Sequence, residues 1–560
     1  MQHTKYSIIT LMVLLGLSFF LKVQAQGLLE GGKVSGNFQL DAQIYQADSA
    51  IGANEVAEKM LMNSFANLIY TQGNFSAGLR FETYLNPLLG YDPLYKGSGV
   101  PYWFGTWRNE KFEITVGHFY EQFGSGMILR AYEERNLGFD NALEGAKVVF
   151  KPIQAVTLKA FAGKQRYFWD KGPGLVRGID GDLSINDLFK PEADLKTRID
   201  IGGSFVSKYE ANEDIIVNDT SLLILPENVA SWAARININR GGFNVYGEYA
   251  RKMNDPSAFN KFIYKEGESM LLQASYATKG LGVLASAKRT DNMSFKSKRT
   301  ETGSTLDINY LPALTRQHAY SLAAMYPYAT QPNGEMAWQA QINYKIPRGS
   351  KIGGKYGTDI AINFSRVTSI EKEVADGETA IGVPGTKGYT SPFFAFGDEL
   401  YFQDLNIELQ RKFNQKYKIL LSYIYMKYNI DVIENHPGDP LVEAHIVIAD
   451  MTYRYDAKNA LKLELQHMST QQDKGNWVQY MIEYTIAPRW FFNFSDQYNY
   501  GNDNKSEQFH YPTLAMGYTY GSNRLSVSYG KQRKGILCVG GVCRTVPAAS
   551  GLTVTLTSSF

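Results

Sequence analysis

The sequence predicts an all-β protein: a large antiparallel transmembrane β-barrel of the outer-membrane class, with about 20–24 strands. Three observations support this prediction. An export signal stands at the N-terminus, strands with alternating apolar and polar residues recur along the chain, and the final strand ends on an aromatic residue, Phe560. Because alternate residues of a strand point to opposite faces, one face can contact lipid while the other encloses a lumen.

The first 25 residues are expected to be a cleaved signal peptide. Lys5 provides a positive start, residues 8–21 form an apolar stretch, and Val23-Gln24-Ala25 is a small-x-small cleavage site. A retained transmembrane helix would need about 20 apolar residues, and this stretch is shorter. We therefore expect residues 26–560 to form one outer-membrane barrel, with no plug domain before its first strand.

The composition favours a barrel over a helical membrane protein. The mean hydropathy is −0.27, and 37 Tyr and 31 Phe residues suffice for aromatic girdles at both membrane interfaces. Without Lys5 and Lys22 of the signal peptide, 55 of the 57 basic residues remain and balance 55 acidic residues. Since nucleic-acid binding needs a basic surface, this neutrality argues against a nucleic-acid partner.

Amphipathic strands recur throughout the mature chain. The clearest examples lie at residues 38–45, 75–82, 232–239, 405–410 and 461–466. A soluble β-sandwich also alternates, but a wide barrel explains charged residues on the inward face, because that face lines a polar lumen. We therefore expect Arg80, Glu82, Arg235 and Glu248 to face the lumen.

Short turns rich in Gly, Asn and Asp alternate with longer connections along the chain. This alternation is typical of outer-membrane barrels, in which short periplasmic turns alternate with longer extracellular loops. The long connections are expected at residues 46–59, 86–108, 166–197, 208–229, 289–309 and 366–400.

The densest cluster of charges lies near the middle of residues 116–148. Gly124 and Gly126 interrupt the alternation there, and the charged residues Arg130, Glu133, Glu134, Arg135 and Asp140 follow. One interpretation is that residues 120–142 fold into the barrel, pair their charges with lumen residues, and constrict or plug the pore. The other interpretation is an ordinary surface loop with solvated charges.

A second unusual stretch covers residues 311–331, with Pro312 and Pro327 near its bounds. Proline is poorly tolerated within a paired strand. The stretch is expected to be either a strand flanked by interfacial aromatic residues or a structured external loop that contacts a partner.

Cys538 and Cys543 bracket the sequence Val-Gly-Gly-Val, in which Gly540-Gly541 can form a tight turn. An exported chain passes through an oxidising compartment, so we expect a disulfide that staples this hairpin. A zinc site is disfavoured because it would need two more ligands.

No motif predicts an enzyme, a cofactor or a metal site. Ser125 lies in Gly-Ser-Gly and not in the Gly-x-Ser-x-Gly pattern of a nucleophile elbow. We interpret His118 as a residue at the rim of the barrel and not as a catalytic base.

Three stretches resemble a family of Bacteroidota outer-membrane β-barrels of unassigned function. They are FYEQFGSGMILRAYEERNLGFDNALEGAKV (119–148), LPALTRQHAYSLAAMYPYATQPNGE (311–335), and GGVCRTVPAASGL (540–552) with the final SSF. The resemblance implies the barrel fold, an outer-membrane localisation and a role in the cell envelope. It implies no substrate and no catalytic residues.

Two functions remain open. The first is a porin-like channel for small polar solutes, constricted by Arg130 and Arg135 against Glu133, Glu134 or Asp140. The alternative is a non-conducting structural or accessory subunit of an outer-membrane secretion, assembly or uptake complex, with external loops that contact envelope proteins. Under both, outer-membrane lipid surrounds the chain.

The last strand makes a separate prediction about biogenesis. Apolar residues alternate with Thr and Ser up to Phe560. We expect the barrel-assembly machinery to recognise this strand as its C-terminal signal.

Overall fold

The computed structural model describes residues 31–189, 196–218, 221–375, 380–539 and 542–560. The predicted signal peptide therefore lies outside the described residues. Within these ranges, 24 strands form one antiparallel sheet. Each strand pairs with the next along the chain, and the first pairs with the last, for example Leu40 with Leu556, so the sheet closes. The prediction of a large all-β barrel with about 20–24 strands is confirmed.

The strands are numbered in chain order. They are β1 (Lys33–Tyr45), β2 (Met60–Gln72), β3 (Phe75–Asn86), β4 (Gly97–Arg108), β5 (Phe112–Phe119), β6 (Leu143–Phe150), β7 (Val156–Tyr167), β8 (Asp170–Ser184), β9 (Thr197–Tyr209), β10 (Asn228–Arg240), β11 (Phe243–Lys252), β12 (Gly267–Thr278), β13 (Leu281–Asp291), β14 (Glu335–Ile346), β15 (Thr358–Ile370), β16 (Phe396–Lys412), β17 (Tyr417–Asn429), β18 (Leu441–Arg454), β19 (Asn459–Ser469), β20 (Trp477–Ile486), β21 (Trp490–Tyr498), β22 (Thr513–Tyr520), β23 (Asn523–Gln532) and β24 (Ala549–Ser559).

In the part of the chain that the structure describes, the connections contain only short elements. The two-stranded hairpins pair Glu133–Glu134 with Phe139–Asp140, Ile216–Asn218 with Ser221–Leu222, Glu373–Val374 with Tyr389–Thr390, and Gly535–Val539 with Val542–Val546. The α-helices are Ile185–Phe189 and Ile430–Glu434, and the 3₁₀ turns are Ser49–Ile51, Pro93–Tyr95, Arg135–Leu137, Ala258–Asn260, Ala323–Met325 and Lys505–Glu507. Among the described residues, no helix is long and apolar enough to cross a membrane.

The alternation of the sequence gives the barrel two different faces. On β3, Leu79 points outward with 42% of its surface exposed, whereas its neighbour Arg80 points inward with 2% exposed. The same period repeats around the barrel, so that an apolar outer belt surrounds the inward-facing residues.

The two ends of the barrel differ in the length of their connections. β1 begins and β24 ends at one end, where most connections are short turns such as Gly241-Gly242 and Lys279-Gly280. We call this end the turn end. Most connections at the opposite end are longer, and we call it the loop end.

Two of the predicted long connections are wrong in part. Residues 97–108 form β4, and residues 170–184 form β8, although both were expected in loops. Glycines occupy several inward-facing positions of β8, so the sequence shows no apolar–polar alternation there. The space at these positions excludes larger side chains. A side chain at Gly174 would lie 2.1 Å from the carbonyl oxygen of Ser297, and one at Gly178 would lie 2.3 Å from Phe161. These inward-facing glycines let other parts of the chain approach the wall closely.

Candidate functional site: the filled lumen

Two of the loop-end connections fold into the barrel. The first inward segment (residues 120–142) joins β5 to β6, and the second inward segment (residues 292–334) joins β13 to β14. They bind each other through their backbones. The amide of Arg130 donates to the carbonyl of Ile308 at 2.9 Å, and the amide of Tyr310 donates to the carbonyl of Gly126 at 2.9 Å. Together they form one body, which we call the lumen plug.

The lumen plug has an apolar core. Phe123, Met127 and Ile128 of the first inward segment and Leu322 of the second have no exposed surface. They belong to one cluster with inward-facing residues of the wall: Val176, Val206, Leu271, Phe402, Met426, Ile446, Met468 and Trp477. Burying one such side chain contributes about 1.5–3 kcal/mol, so the cluster holds the plug firmly to the wall and keeps water out.

This core corrects the expectation of a polar lumen along the whole barrel. On β18, the inward-facing residues Val442, Ala444, Ile446 and Ile448 are all apolar and buried. The wall is apolar there because it faces the plug and not water.

One side of the plug is fixed by a buried charged cluster, which we call the charged clamp. Arg80 on β3 pairs with Glu82 at 2.6 Å, with Glu133 of the first inward segment at 2.8 Å, and with Asp140. Arg166 on β7 pairs with Glu82 and with Asp140, each at 2.7 Å. Wall residues and plug residues therefore alternate in one network, and each shared carboxylate lies between two guanidinium groups.

The five residues predicted to constrict the pore have different surroundings. Glu133 and Asp140 belong to the charged clamp, and Arg135 joins it because its Nε donates to Glu133 at 2.6 Å. The guanidinium of Arg130 instead lies over two plug rings, those of Tyr132 and Tyr310, at 4.3 and 4.2 Å. Glu134 pairs by backbone with Phe139 in the small hairpin of the plug.

The four residues predicted to face the lumen all point inward. Arg80 and Glu82 lie in the charged clamp. Glu248 on β11 accepts a hydrogen bond from the amide of Ser125 at 2.8 Å and so holds the tip of the first inward segment. Arg235 on β10 pairs with Asp180 at 2.8 Å. The sequence pattern missed Arg166 because the alternation of β7 ends before it.

The second inward segment is tied to the opposite wall. Arg316 donates to Asn406 and Glu408 on β16, each at 2.6 Å, and His318 pairs with Asp404 on the same strand at 2.6 Å. Three further bonds lie beyond them: Tyr320 to Asp450 (3.1 Å), the amide of Leu322 to Gln466 (3.0 Å), and Tyr326 to Asp473 (2.9 Å).

These contacts correct the expectation for residues 311–331, which form no strand and lie inside the barrel. Sequence reasoning missed their partners. A usable signal existed, since the polar residues of β16 and of the segment both alternate.

An open space remains between the plug and the turn end of the barrel. This cavity, the turn-end vestibule, has a volume of about 550 Å³. Gly124 and Ser125 form part of its lining, and its walls carry Asp182, Asp200 and Arg235 with several amides. Along β8–β12, the lumen is therefore filled by the plug toward the loop end and open toward the turn end.

A disulfide hairpin lies over the plug at the loop end. Cys538 and Cys543 are joined, with the two Cα atoms 4.1 Å apart. The predicted turn at Gly540-Gly541 lies outside the described residues. Next to the disulfide, the guanidinium of Arg544 lies 4.1 Å from the ring of Tyr91, a residue that donates to the carbonyl of Arg135 in the plug at 2.7 Å.

His118 and Ser125, the two residues considered for catalysis in the sequence, each contact a glutamate of the wall. His118 lies at the loop end of β5, with its Nε2 3.6 Å from Glu144. The amide of Ser125 binds Glu248, as described above. Among the described residues, no group of three or more His, Cys, Asp or Glu is arranged to hold a metal ion.

Comparison with known proteins gives one family assignment. Residues 4–560 match the model of a family described as "Family of unknown function (DUF6029)", so the chain belongs to that family. No curated protein matches the sequence.

Solved structures share the architecture only distantly. The translocation pore of the P pilus usher PapC is 10% identical, with a TM-score of 0.42, and the match covers 94% of this chain and 99% of that chain. The siderophore receptor PirA from Pseudomonas aeruginosa is 9% identical, with a TM-score of 0.41 over 94% and 80% of the two chains. OpdL from Pseudomonas aeruginosa is 11% identical, with a TM-score of 0.32 over 83% and 99%. The fold assignment therefore rests on the strand pairing described above.

Proposed function

We propose that this member of the DUF6029 family is an outer-membrane barrel with a lumen closed at rest, and that it serves as a structural or accessory subunit of an envelope complex. The observation that carries the proposal is the apolar core of the lumen plug. Diffusion of a polar solute needs a continuous path of water. Phe123, Met127 and Leu322, packed without exposed surface against the wall, interrupt such a path.

The outer belt and the connections support the localisation and the orientation. A belt of lipid-facing apolar residues with short turns at one end and longer loops at the other is typical of bacterial outer-membrane barrels. We infer that the turn end faces the periplasm and the loop end faces outward. Phe560, at the end of the last strand, then stands on the side from which the barrel-assembly machinery works.

The loops offer apolar surface for a partner, which supports an accessory role. Ile224, in the connection between β9 and β10, is 87% exposed, and Phe394, between β15 and β16, is 79% exposed. The two connections meet, because a side chain at Gly385 would lie 3.3 Å from Leu223. Exposed apolar groups beyond the lipid belt favour contact with another envelope protein.

A channel for small polar solutes is the second candidate. The turn-end vestibule supports it, because its walls carry both acidic residues and Arg235 around an open volume. Such a channel would conduct only after the lumen plug has moved. The closed-lumen proposal and the channel proposal therefore differ in the resting state of the protein.

The test is single-channel conductance of the purified mature chain in a planar bilayer. We expect no conductance steps from protein that migrates as a folded, heat-modifiable barrel on a gel. Discrete steps that scale with salt concentration, seen in the unmodified protein, would refute the closed lumen and favour the channel.

A further inference from the structure

A strongly basic surface lies at the turn end, along three consecutive turns. These are residues 347–357 between β14 and β15, residues 413–416 between β16 and β17, and residues 455–458 between β18 and β19. Together with the two adjoining residues of each strand they carry ten cations: Lys345, Arg348, Lys351, Lys355, Arg411, Lys412, Lys416, Lys418, Arg454 and Lys458. We call this surface the basic crescent.

The charge of the basic crescent is almost uncompensated. Within the described part of the chain, Lys345 pairs with Asp359 at 3.0 Å, and the other nine cations form no ion pair. All of the ten except Arg411 are exposed. The second carboxylate among them, Asp456, accepts hydrogen bonds from the backbone amides of Lys458 and Asn459 within its own turn. The chain as a whole is nearly neutral, so this concentration of charge is local.

Other cations of the turn end are arranged differently. Arg108 pairs with Glu113 at 2.5 Å, and Arg198 pairs with Asp187 at 3.1 Å. The cations of most other turns stand singly, as at Lys151, Arg240 and Lys279. The crescent instead combines several exposed cations on adjacent turns. Lys355 and Lys412 lie over the ring of Tyr356, but among the described residues only Lys345 of the crescent has a carboxylate partner.

The strand register directs part of this charge toward the mouth of the lumen. Lys412, Lys418 and Arg454 occupy inward-facing positions of β16, β17 and β18, in phase with buried lumen residues such as Asp404. Aromatic residues occupy the lipid side of the same turns, where Tyr453 and others are exposed. These three cations therefore face the mouth of the lumen, while the aromatic groups occupy the opposite face of the wall.

The size of the crescent indicates a ligand with several negative charges. Neighbouring strands lie about 4.8 Å apart, so neighbouring turns are about 10 Å apart and the three turns span roughly 20 Å. One phosphate or one carboxylate cannot reach across this distance. An extended polypeptide of about 6–7 residues can.

We propose that the basic crescent binds an extended acidic segment, rich in Asp and Glu, of a soluble protein on the turn-end side of the membrane. The proposal deepens the accessory role and rests on the orientation inferred for it. Exposed ion pairs are individually weak, so affinity comes from several pairs formed together and falls with rising salt. The register makes the aqueous mouth, and not the bilayer, the side from which the acidic groups approach.

The test measures binding of a fluorescent oligoglutamate peptide, about 8 residues long so that it spans the crescent, to the full mature chain in detergent. One variant removes two charges from each turn: K351Q, K355Q, K412Q, K416Q, R454Q and K458Q. The matched control removes six cations from other places at the turn end: K111Q, K151Q, R240Q, K279Q, R489Q and R524Q. Heat-modifiable migration on a gel checks that both variants fold.

We expect the unmodified protein to bind the peptide and to release it at high salt. The crescent variant should bind at least tenfold more weakly, and the control less than threefold more weakly. Equal losses in both variants, or no binding by the unmodified protein, would overturn the proposal.

The same protein variants distinguish a lipid ligand from an acidic polypeptide. If the crescent variant loses only its association with phosphatidylglycerol vesicles, while neither protein binds the peptide, the surface recognises lipid headgroups and the proposal is wrong. Conductance is a separate readout, so failure of this proposal and failure of the closed-lumen proposal are distinguishable.

Discussion

The two halves of the lumen are built from the same strands but have different contents. The plug fills the loop-end half, which we call the dry half, and an open cavity lies in the turn-end half, which we call the wet half. Toward the loop end, the wall packs against Phe123 and Leu322 of the lumen plug. Toward the turn end, the wall encloses the vestibule between Asp182, Asp200 and Arg235. The alternation of apolar and polar residues along a strand therefore identifies which residues face inward, but not whether they contact water or protein.

Single strands change character where they pass from one half to the other. On β18, the inward-facing residues are Ile446 and Ile448 beside the apolar core of the plug, then Asp450, which accepts a hydrogen bond from Tyr320, and Arg454 at the turn end. On β16, Phe402 beside the plug is followed by Glu408, which pairs with Arg316. On β18 this change marks the edge of the apolar core of the plug, whereas on β16 polar residues such as Asp404 also face the plug.

The largest effect is expected from removing the first inward segment from the dry half. We expect deletion of residues 125–141 to convert a silent barrel into one with conductance steps, because this removes Met127, Ile128 and the plug side of the charged clamp. The measurement is single-channel conductance in a planar bilayer.

A matched control for this deletion removes an exposed loop that is not part of the plug. Residues 502–507, between β21 and β22, serve this purpose. Their deletion should leave the protein without conductance steps. A plug deletion that folds and stays silent would mean that the second inward segment closes the lumen alone.

The sequence was sufficient for the barrel and for part of its site. The alternation placed Arg80, Glu82, Arg235 and Glu248 inside, and the interruption at Gly124 and Gly126 pointed to a segment that leaves the sheet. These features are local, since they depend on one strand or one turn at a time. The function of that segment as a constriction is still a prediction.

What escaped prediction depends on contacts between distant segments. Arg166 joins the charged clamp only because β3, β7 and the plug meet in space. The dry half also left a trace in the sequence: residues 441–449 are apolar on both faces apart from Glu443 and His445. A strand that is apolar on both faces is typical of one buried between two layers. Here one layer is the plug, and the other is lipid under the proposed outer-membrane localisation.

The next largest effect is expected from the charged clamp. Replacing Arg166 by Ala leaves the buried carboxylates of Glu82 and Asp140 with one guanidinium fewer. Removing one partner of a buried ion pair costs about 3–5 kcal/mol. We expect this loss in the stability of the plug, measured as faster hydrogen exchange in residues 120–142. Arg177→Ala, at an exposed position of β8, is the control and should leave exchange unchanged.

A smaller effect is expected at Gly124, where the dry half meets the vestibule. Its φ is +52°, and an added Cβ would lie 2.4 Å from Oε1 of Glu248. Gly241 has a similar φ of +56° but no atom within 4 Å of an added Cβ. Gly124→Ala combines backbone strain with a clash and should cost about 1–3 kcal/mol, whereas Gly241→Ala carries the strain alone. Equal losses in urea unfolding would mean that Glu248 moves aside freely.

The smallest effect should come from the wet half. The same Asp→Asn change, made once in each half, compares the two surroundings directly. Asp200 lines the vestibule, whereas Asp404 is buried beside the plug, with His318 at 2.6 Å. Asp200→Asn should change stability by no more than about 0.5 kcal/mol, because water solvates either side chain. Asp404→Asn should cost about 1–3 kcal/mol, because a buried, charge-assisted hydrogen bond is lost. If urea unfolding gives equal losses for both variants, water reaches Asp404 as well, and the lumen is not divided into a dry half and a wet half.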